Sequence, residues 1–187
     1  MSLFAAFRRR PEAAAAEALY REIVTQSRLP GFYAAAAVPD TPDGRFDVIV
    51  VHAVLVLRRL HREADRTRDL AQAVFDLMFA DMDQNLREMG VGDLAVGKRI
   101  KAMAKGFYGR LAAYKQALDD ADASALASAL RRNLYRNAEP DEGAVRAFSG
   151  YFQREAAHLD SVPVEQLMTG QVQFGPPPGS IQERVDV

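Results

Sequence analysis

Few residues in this chain could do covalent chemistry. There is no cysteine, which removes thiol catalysis, disulfide frameworks, zinc fingers and thiolate-held iron–sulfur clusters. The histidines are His52, His61 and His158, so a three-histidine metal site would need all of them. Glu155 and His158 form a Glu-x-x-His unit, but a di-iron bundle needs a second unit on another helix and none exists. Gly92 to Lys98 follows the Gly-x-x-x-x-Gly-Lys spacing of a phosphate loop. Arg99 then stands where a magnesium-holding Ser or Thr is required, and no strand leads into it. Asp81 to Asn85 opens like a calcium loop, yet Leu86 replaces the turn glycine and Gly92 the closing glutamate. No Gly-x-Ser-x-Gly elbow occurs. The expectation is a protein without catalytic residues, metal or cofactor, one that works by binding.

The binding chemistry concentrates in two helical stretches. Between Asp93 and Leu118, a spacing of about 100° per residue puts Ile100, Met103, Phe107, Leu111, Tyr114 and Leu118 on one stripe. Lys98, Lys101 and Lys105 gather on the opposite side. No acid lies between Lys98 and Lys115, although helices ordinarily mix signs for i,i+4 support. Such a field of one sign suits RNA phosphates, anionic lipid headgroups or an acidic partner, or else a plain solvated face.

Upstream, Leu70, Val74 and Leu77 define an apolar face, and Asp81 and Glu88 fall in the same direction. A carboxylate aimed at a core face must be paired or hydrated, and Lys98, Arg99 and Arg110 are the expected partners. One outcome is a helix-end ion pair that fixes the turn Met89-Gly90-Val91-Gly92. The other is a polar corner bordering a groove. Phe75, Met78, Phe79, Met82, Met89 and Met103 would then supply adaptable apolar lining.

The elements that must position these residues read as helices nearly throughout. The chain has 187 residues, which suits one domain with loose ends. Helices are expected over 12–28, 45–63, 67–89, 93–118, 124–137 and 141–159, with one further turn within 160–168. Thr67 and Asp93 stand as N-cap candidates. The second helix is apolar on most sides and should be central and buried. The expected fold class is all-α: a single irregular bundle of about six helices around a central buried helix, with a disordered C-terminal tail. Residues 1–11 are expected to be a flexible or interfacial N-terminus, 12–168 the helical domain, and 169–187 a disordered Pro/Gly-containing tail. The longest apolar stretch, Val48 to Leu57, falls far short of the roughly 20 residues of a spanning helix. Lys plus Arg total 24 and Asp plus Glu total 25, for a net charge of −1, which argues against DNA as a partner.

The same residues carry a resemblance. Leu19-Tyr20-Arg21-Glu22-Ile23-Val24, Phe32-Tyr33 and Val38-Pro39-Asp40-Thr41-Pro42-Asp43-Gly44-Arg45-Phe46-Asp47 begin it. His52, Arg58-Arg59 and Phe75 to Asp83 continue it, then Leu86 to Asp93, Gly97 to Lys101, and Phe107-Tyr108-Gly109-Arg110. Over about Glu17 to Leu159 the chain resembles the ubiquinol–cytochrome c reductase (complex III) chaperone family, in its bacterial form. The resemblance implies a non-enzymatic, all-helical chaperone that binds newly synthesised cytochrome b. It also implies, as partners, the ribosome and a small accessory assembly protein. No catalytic residue carries over. The implied location is the bacterial cytoplasm, peripheral at the inner membrane, corresponding to the matrix side in mitochondria. The candidate client-binding residues are Phe75, Met78, Phe79, Asp81, Met82, Glu88, Met89, Asp93, Arg99, Met103, Phe107, Tyr108 and Arg110, with Asp81, Glu88, Asp93 and Arg99 fixing the groove. Lys98, Lys101 and Lys105 are the candidates for an anionic surface. The alternative is a peripheral membrane- or RNA-binding helical adaptor using that basic face.

Overall fold

The computed structural model describes residues 11–136 and 138–180. The expected N-terminal anchor and the last residues of the expected tail, 181–187, lie outside that range. Eight helices follow one another: α1 (Pro11–Ser27), α2 (Gly31–Ala34), α3 (Pro42–His61), α4 (Ala64–Glu88), α5 (Asp93–Asp119), α6 (Ala123–Leu130), α7 (Glu142–Ser161) and α8 (Val164–Met168). No strand occurs among the described residues. α2 and α8 are single turns, and the other six are the helices expected from the periodicity.

α3 is the axle. It starts three residues earlier than its apolar pattern suggests, because Pro42 takes the first helical position and Thr41 Oγ1 accepts the Gly44 amide at 3.1 Å. From Val50 to Leu60 every side chain is buried, which a helix apolar all round requires. α1, α4, α5 and α7 pack around it. Even Arg58 is inside. Its guanidinium bonds Asp119 and Asp160, and so ties the end of α5 to the end of α7.

Thr67 does not cap a helix. It is fully buried inside α4 and donates its hydroxyl to Leu60 O at 2.6 Å, so it clamps the α3–α4 turn. Asp93 likewise leaves the capping position to Gly92. Asp141 does cap, accepting the Ala144 amide at 2.7 Å. The helix expected over 124–137 divides: α6 ends at Leu130 and a π-turn covers Arg131–Tyr135. Arg136 follows at φ 51°, a left-handed backbone that only a strong tether sustains in a non-glycine residue. Its side chain reaches Asp47, with Nη2 2.7 Å from Oδ1.

The expected disorder of the tail is corrected for residues 170–180. They form an ordered strap laid back across the bundle. Gly170 comes so close to α1 that a Cβ would stand 2.8 Å from Ala18 Cβ, and its φ of 82° suits glycine. Val172 is buried, and Phe174 sets its ring edge-on to His52 at 5.0 Å. The Gly175 amide donates to Glu155 Oε2 at 2.8 Å, while its carbonyl accepts from Gln26 Nε2 at 2.7 Å. Arg154 holds the Pro176 carbonyl at 2.7 Å. Proline and glycine composition reads as disorder when the partners are distant in sequence. Here each backbone group that α1 and α7 tether has a side-chain partner.

Candidate functional site

A cavity of about 1280 Å³ opens where the end of α1, the loop into α3, the end of α4 and the start of α5 meet. Val24 and Ser27 come from α1, and Arg28, Pro30, Tyr33 and Ala34 from the turns after it. The loop supplies Asp40 and Thr41, and α3 supplies Arg45, Phe46 and Ile49. Asp81, Met82, Asn85, Leu86 and Met89 form the α4 wall, and Arg99, Ala102 and Met103 the α5 wall. The loop is held tight by its own sequence. A Cβ on Gly44 would lie 1.9 Å from the Pro39 carbonyl oxygen, so only glycine lets the loop fold back on α3.

Two acids of this groove, Asp40 and Asp81, already have donors, and Asp43 lies 3.7 Å from Arg136. Tyr20 donates its hydroxyl to Asp81 Oδ2 at 2.7 Å, joining α1 to α4. Asp40 holds Arg45 Nε at 2.6 Å, and that bond draws its carboxyl below the usual range. Tyr33 donates to the Ser27 carbonyl at 2.7 Å. Beneath the groove floor lies a buried polar chain. His52 Nδ1 sits 2.8 Å from the Val48 carbonyl, which can only accept, so the ring carries its proton there. His52 Nε2 then accepts from Tyr151 Oη at 2.7 Å, and Gln26 Nε2 donates to the same oxygen at 3.0 Å. Burial pushes the His52 pKa down to about 4, so the ring stays neutral.

The expected site residues divide into three places. Asp81, Met82, Met89, Arg99 and Met103 line the groove together. Phe75, Phe79, Phe107 and Tyr108 form an aromatic seam between α4 and α5, with Phe75 and Phe79 centroids 4.6 Å apart and Phe75 stacked on Tyr108 at 5.4 Å. Met78 is buried in the core. Glu88 faces solvent and accepts from Gln84 Nε2 at 2.9 Å. The expected polar corner is therefore dispersed: Asp81 turns to Tyr20, Asp93 pairs with Arg87, and Glu88 stays outside. Arg110 goes elsewhere too. It meets the buried Asp47 with Nη1 2.5 Å from Oδ1. Burial raises the Asp47 carboxyl above its ordinary pKa, against the pull of Arg136 and Arg110. Arg136 Nε stands 2.7 Å from Oδ2, a contact of charges without hydrogen-bond alignment.

Lys98, Lys101 and Lys105 are exposed on the outer face of α5, and Leu94 on the same stripe is 99% exposed. Glu155 of the Glu-x-x-His unit anchors the strap instead, with Oε1 also accepting Arg154 Nε at 3.0 Å. Periodicity within single helices missed the α1, α2 and α3 contributions to the groove: Arg28, Tyr33, Phe46 and Ile49. The one signal near them is the turn-rich string Pro39 to Phe46.

Comparison with known proteins is decisive for the family. The family model described as Ubiquinol-cytochrome C chaperone matches residues 34–174, which includes the loop, α3 to α8 and the first part of the strap. The chain belongs to the ubiquinol-cytochrome C chaperone family. The crystal structure of the Cbp3 homolog from Brucella abortus superposes with a TM-score of 0.80 at 37% identity, covering 94% of this chain and 97% of that one. Ubiquinol-cytochrome c reductase complex assembly factor 1 of Mus musculus is 26% identical over 163 residues, 87% of this chain and 55% of its own. The Homo sapiens protein of the same name is likewise 26% identical over 163 residues, 87% of this chain and 54% of its own. This chaperone-family chain thus spans about half the length of those two relatives. They are named for assembly and the family for chaperoning, not for catalysis.

Proposed function

We propose that this chain is an assembly chaperone for respiratory complex III and that its client is newly made cytochrome b, received in the groove between α1, α3, α4 and α5. One observation carries the reading: the cavity in this ubiquinol-cytochrome C chaperone fold has an apolar lining within a polar rim, with Phe46, Ile49, Met82, Leu86 and Met103 in it. An apolar helix of a membrane protein awaiting assembly needs such a surface, and methionines adapt to varied side chains. The client-contact residues are then Asp81, Met82, Met89, Arg99 and Met103, with Phe75, Phe79, Phe107 and Tyr108 setting the angle between the α4 and α5 walls. The ribosome and a small accessory protein are further partners under the same reading. It places the chain in the bacterial cytoplasm beside the inner membrane. No described helix is long and apolar enough to cross a membrane. The test is photo-crosslinking in cells from Phe46 or Met89, with exposed Gln72 as the control position. Cytochrome b should be captured from the groove positions alone. Equal capture from Gln72, or no cytochrome b and unchanged complex III after deletion of the gene, overturns the reading.

A second surface has its own support. Leu94 is 99% exposed at the tip of the α4–α5 hairpin, and Lys98, Lys101 and Lys105 continue its stripe. An exposed leucine gains nothing from RNA, whereas at a lipid interface it enters the acyl boundary while the lysines meet anionic headgroups.

A further inference from the structure

We propose that the occupant of the groove is an apolar helix carrying a carboxylate on its docking face, held by Arg28 and Arg99. The inference rests on the client-groove reading and specifies what that client must contain. Among the described residues, the groove's charges are unequally satisfied. Asp40 is bonded to Arg45 at 2.6 Å and Asp81 to Tyr20 at 2.7 Å, and Asp43, which also lines the cavity, lies 3.7 Å from Arg136, so each of these acids has a partner within the chain. Arg28, just past the end of α1, and Arg99, on α5, line the same cavity, and among the described residues no acid is in an ion pair with either.

While the groove is open, water solvates both guanidiniums. A purely apolar occupant would strip that water and leave two buried cations unpaired, which is costly. A segment with a lysine there would add repulsion. A glutamate or aspartate offsets the loss with charge-assisted, potentially bidentate bonds. The arginines therefore act as a filter: the apolar lining accepts many helices, and the two cations reject those without an acid.

The test uses the full chain and a fluorescein-labelled Leu/Ala peptide of about twenty residues, with polar Ser/Gln ends. Three versions carry Glu, Gln or Lys at the centre. Anisotropy titration should show the Glu peptide binding about three- to tenfold tighter than the Gln peptide, and the Lys peptide weakest. The Glu preference should shrink as salt rises. In Arg28→Gln and Arg99→Gln the Glu and Gln peptides should bind alike, with a melting temperature close to that of the parent. Equal binding of Glu and Gln peptides to the parent chain overturns this inference and leaves the groove reading in place. Absence of binding by all three peptides, together with no cytochrome b captured from Phe46 or Met89, overturns the groove reading with it.

Discussion

The hydroxyl of Tyr20 on α1 reaches Asp81 Oδ2 on α4 at 2.7 Å, across 61 residues of sequence. This bond holds two walls of the groove at a fixed spacing, and burial followed by the Asp81 bond raises the Tyr20 pKa. Tyr20→Phe removes the donor and leaves a half-buried carboxylate to water. The expected cost is about 1–2 kcal/mol in urea unfolding, with weaker cytochrome b crosslinking from Met89. Full stability and unchanged crosslinking would show that the bond does not set the groove.

His52 predicts an acid-sensitive core. Its folded pKa is about 4 against an ordinary 6.5. The unfolded chain therefore binds a proton that the native one refuses between those values. The associated stability is complete above pH 6.5 and is lost as pH falls toward 4. From pH 7 to pH 5 the loss should be about 2 kcal/mol. His52→Gln removes the titration, so its urea midpoint should fall less over that range. Parallel curves for parent and variant would refute the assignment.

Glycines in this chain predict opposite outcomes. A Cβ on Gly106, inside α5, meets nothing within 4 Å. Gly106→Ala should raise stability by about 0.5–1 kcal/mol. Gly44→Ala drives its Cβ into the Pro39 carbonyl at 1.9 Å. It should destabilise by more than about 2 kcal/mol, or prevent accumulation of folded protein in expression trials. Thermal melts of both variants decide the point.

The strap predicts a packing loss. Phe174→Ala takes a ring away from His52 and leaves a void over the buried polar chain. About 2 kcal/mol should be lost, or a melting temperature lower by about 4–8 °C. An unshifted melt would mean that residues 170–180 do not stay on the bundle.

The basic face of α5 is tested with vesicles. Binding to phosphatidylglycerol vesicles should fall severalfold in the triple variant Lys98→Glu, Lys101→Glu, Lys105→Glu, and also in Leu94→Asp. Flotation with neutral phosphatidylcholine vesicles serves as the control. RNA binding that survives Leu94→Asp but not the lysine changes would favour the adaptor alternative.

Much of this architecture is local and so legible in the residue order. An all-round apolar run made α3 central, Gly90 marked the end of α4, and α7 begins next to Asp141. The absence of cysteine and the broken metal and phosphate motifs directed the reading toward binding. The partners of polar groups were not legible, because a helical wheel gives the direction of a side chain but not which helix lies opposite. Asp81 met Tyr20 rather than Arg99, and Arg110 met Asp47. For the same reason the groove drew residues from five helices, and Arg28 and Arg99 came to one cavity only when the end of α1 and the start of α5 were brought together. Residues 170–180, composed like a loose tail, became a strap because α1 and α7 present Gln26, Arg154 and Glu155 to its backbone. Periodicity and punctuation act within a turn or two of chain and are written in the sequence. Charge pairing and the shape of a cavity depend on residues up to about a hundred positions apart, and folding alone brings those together.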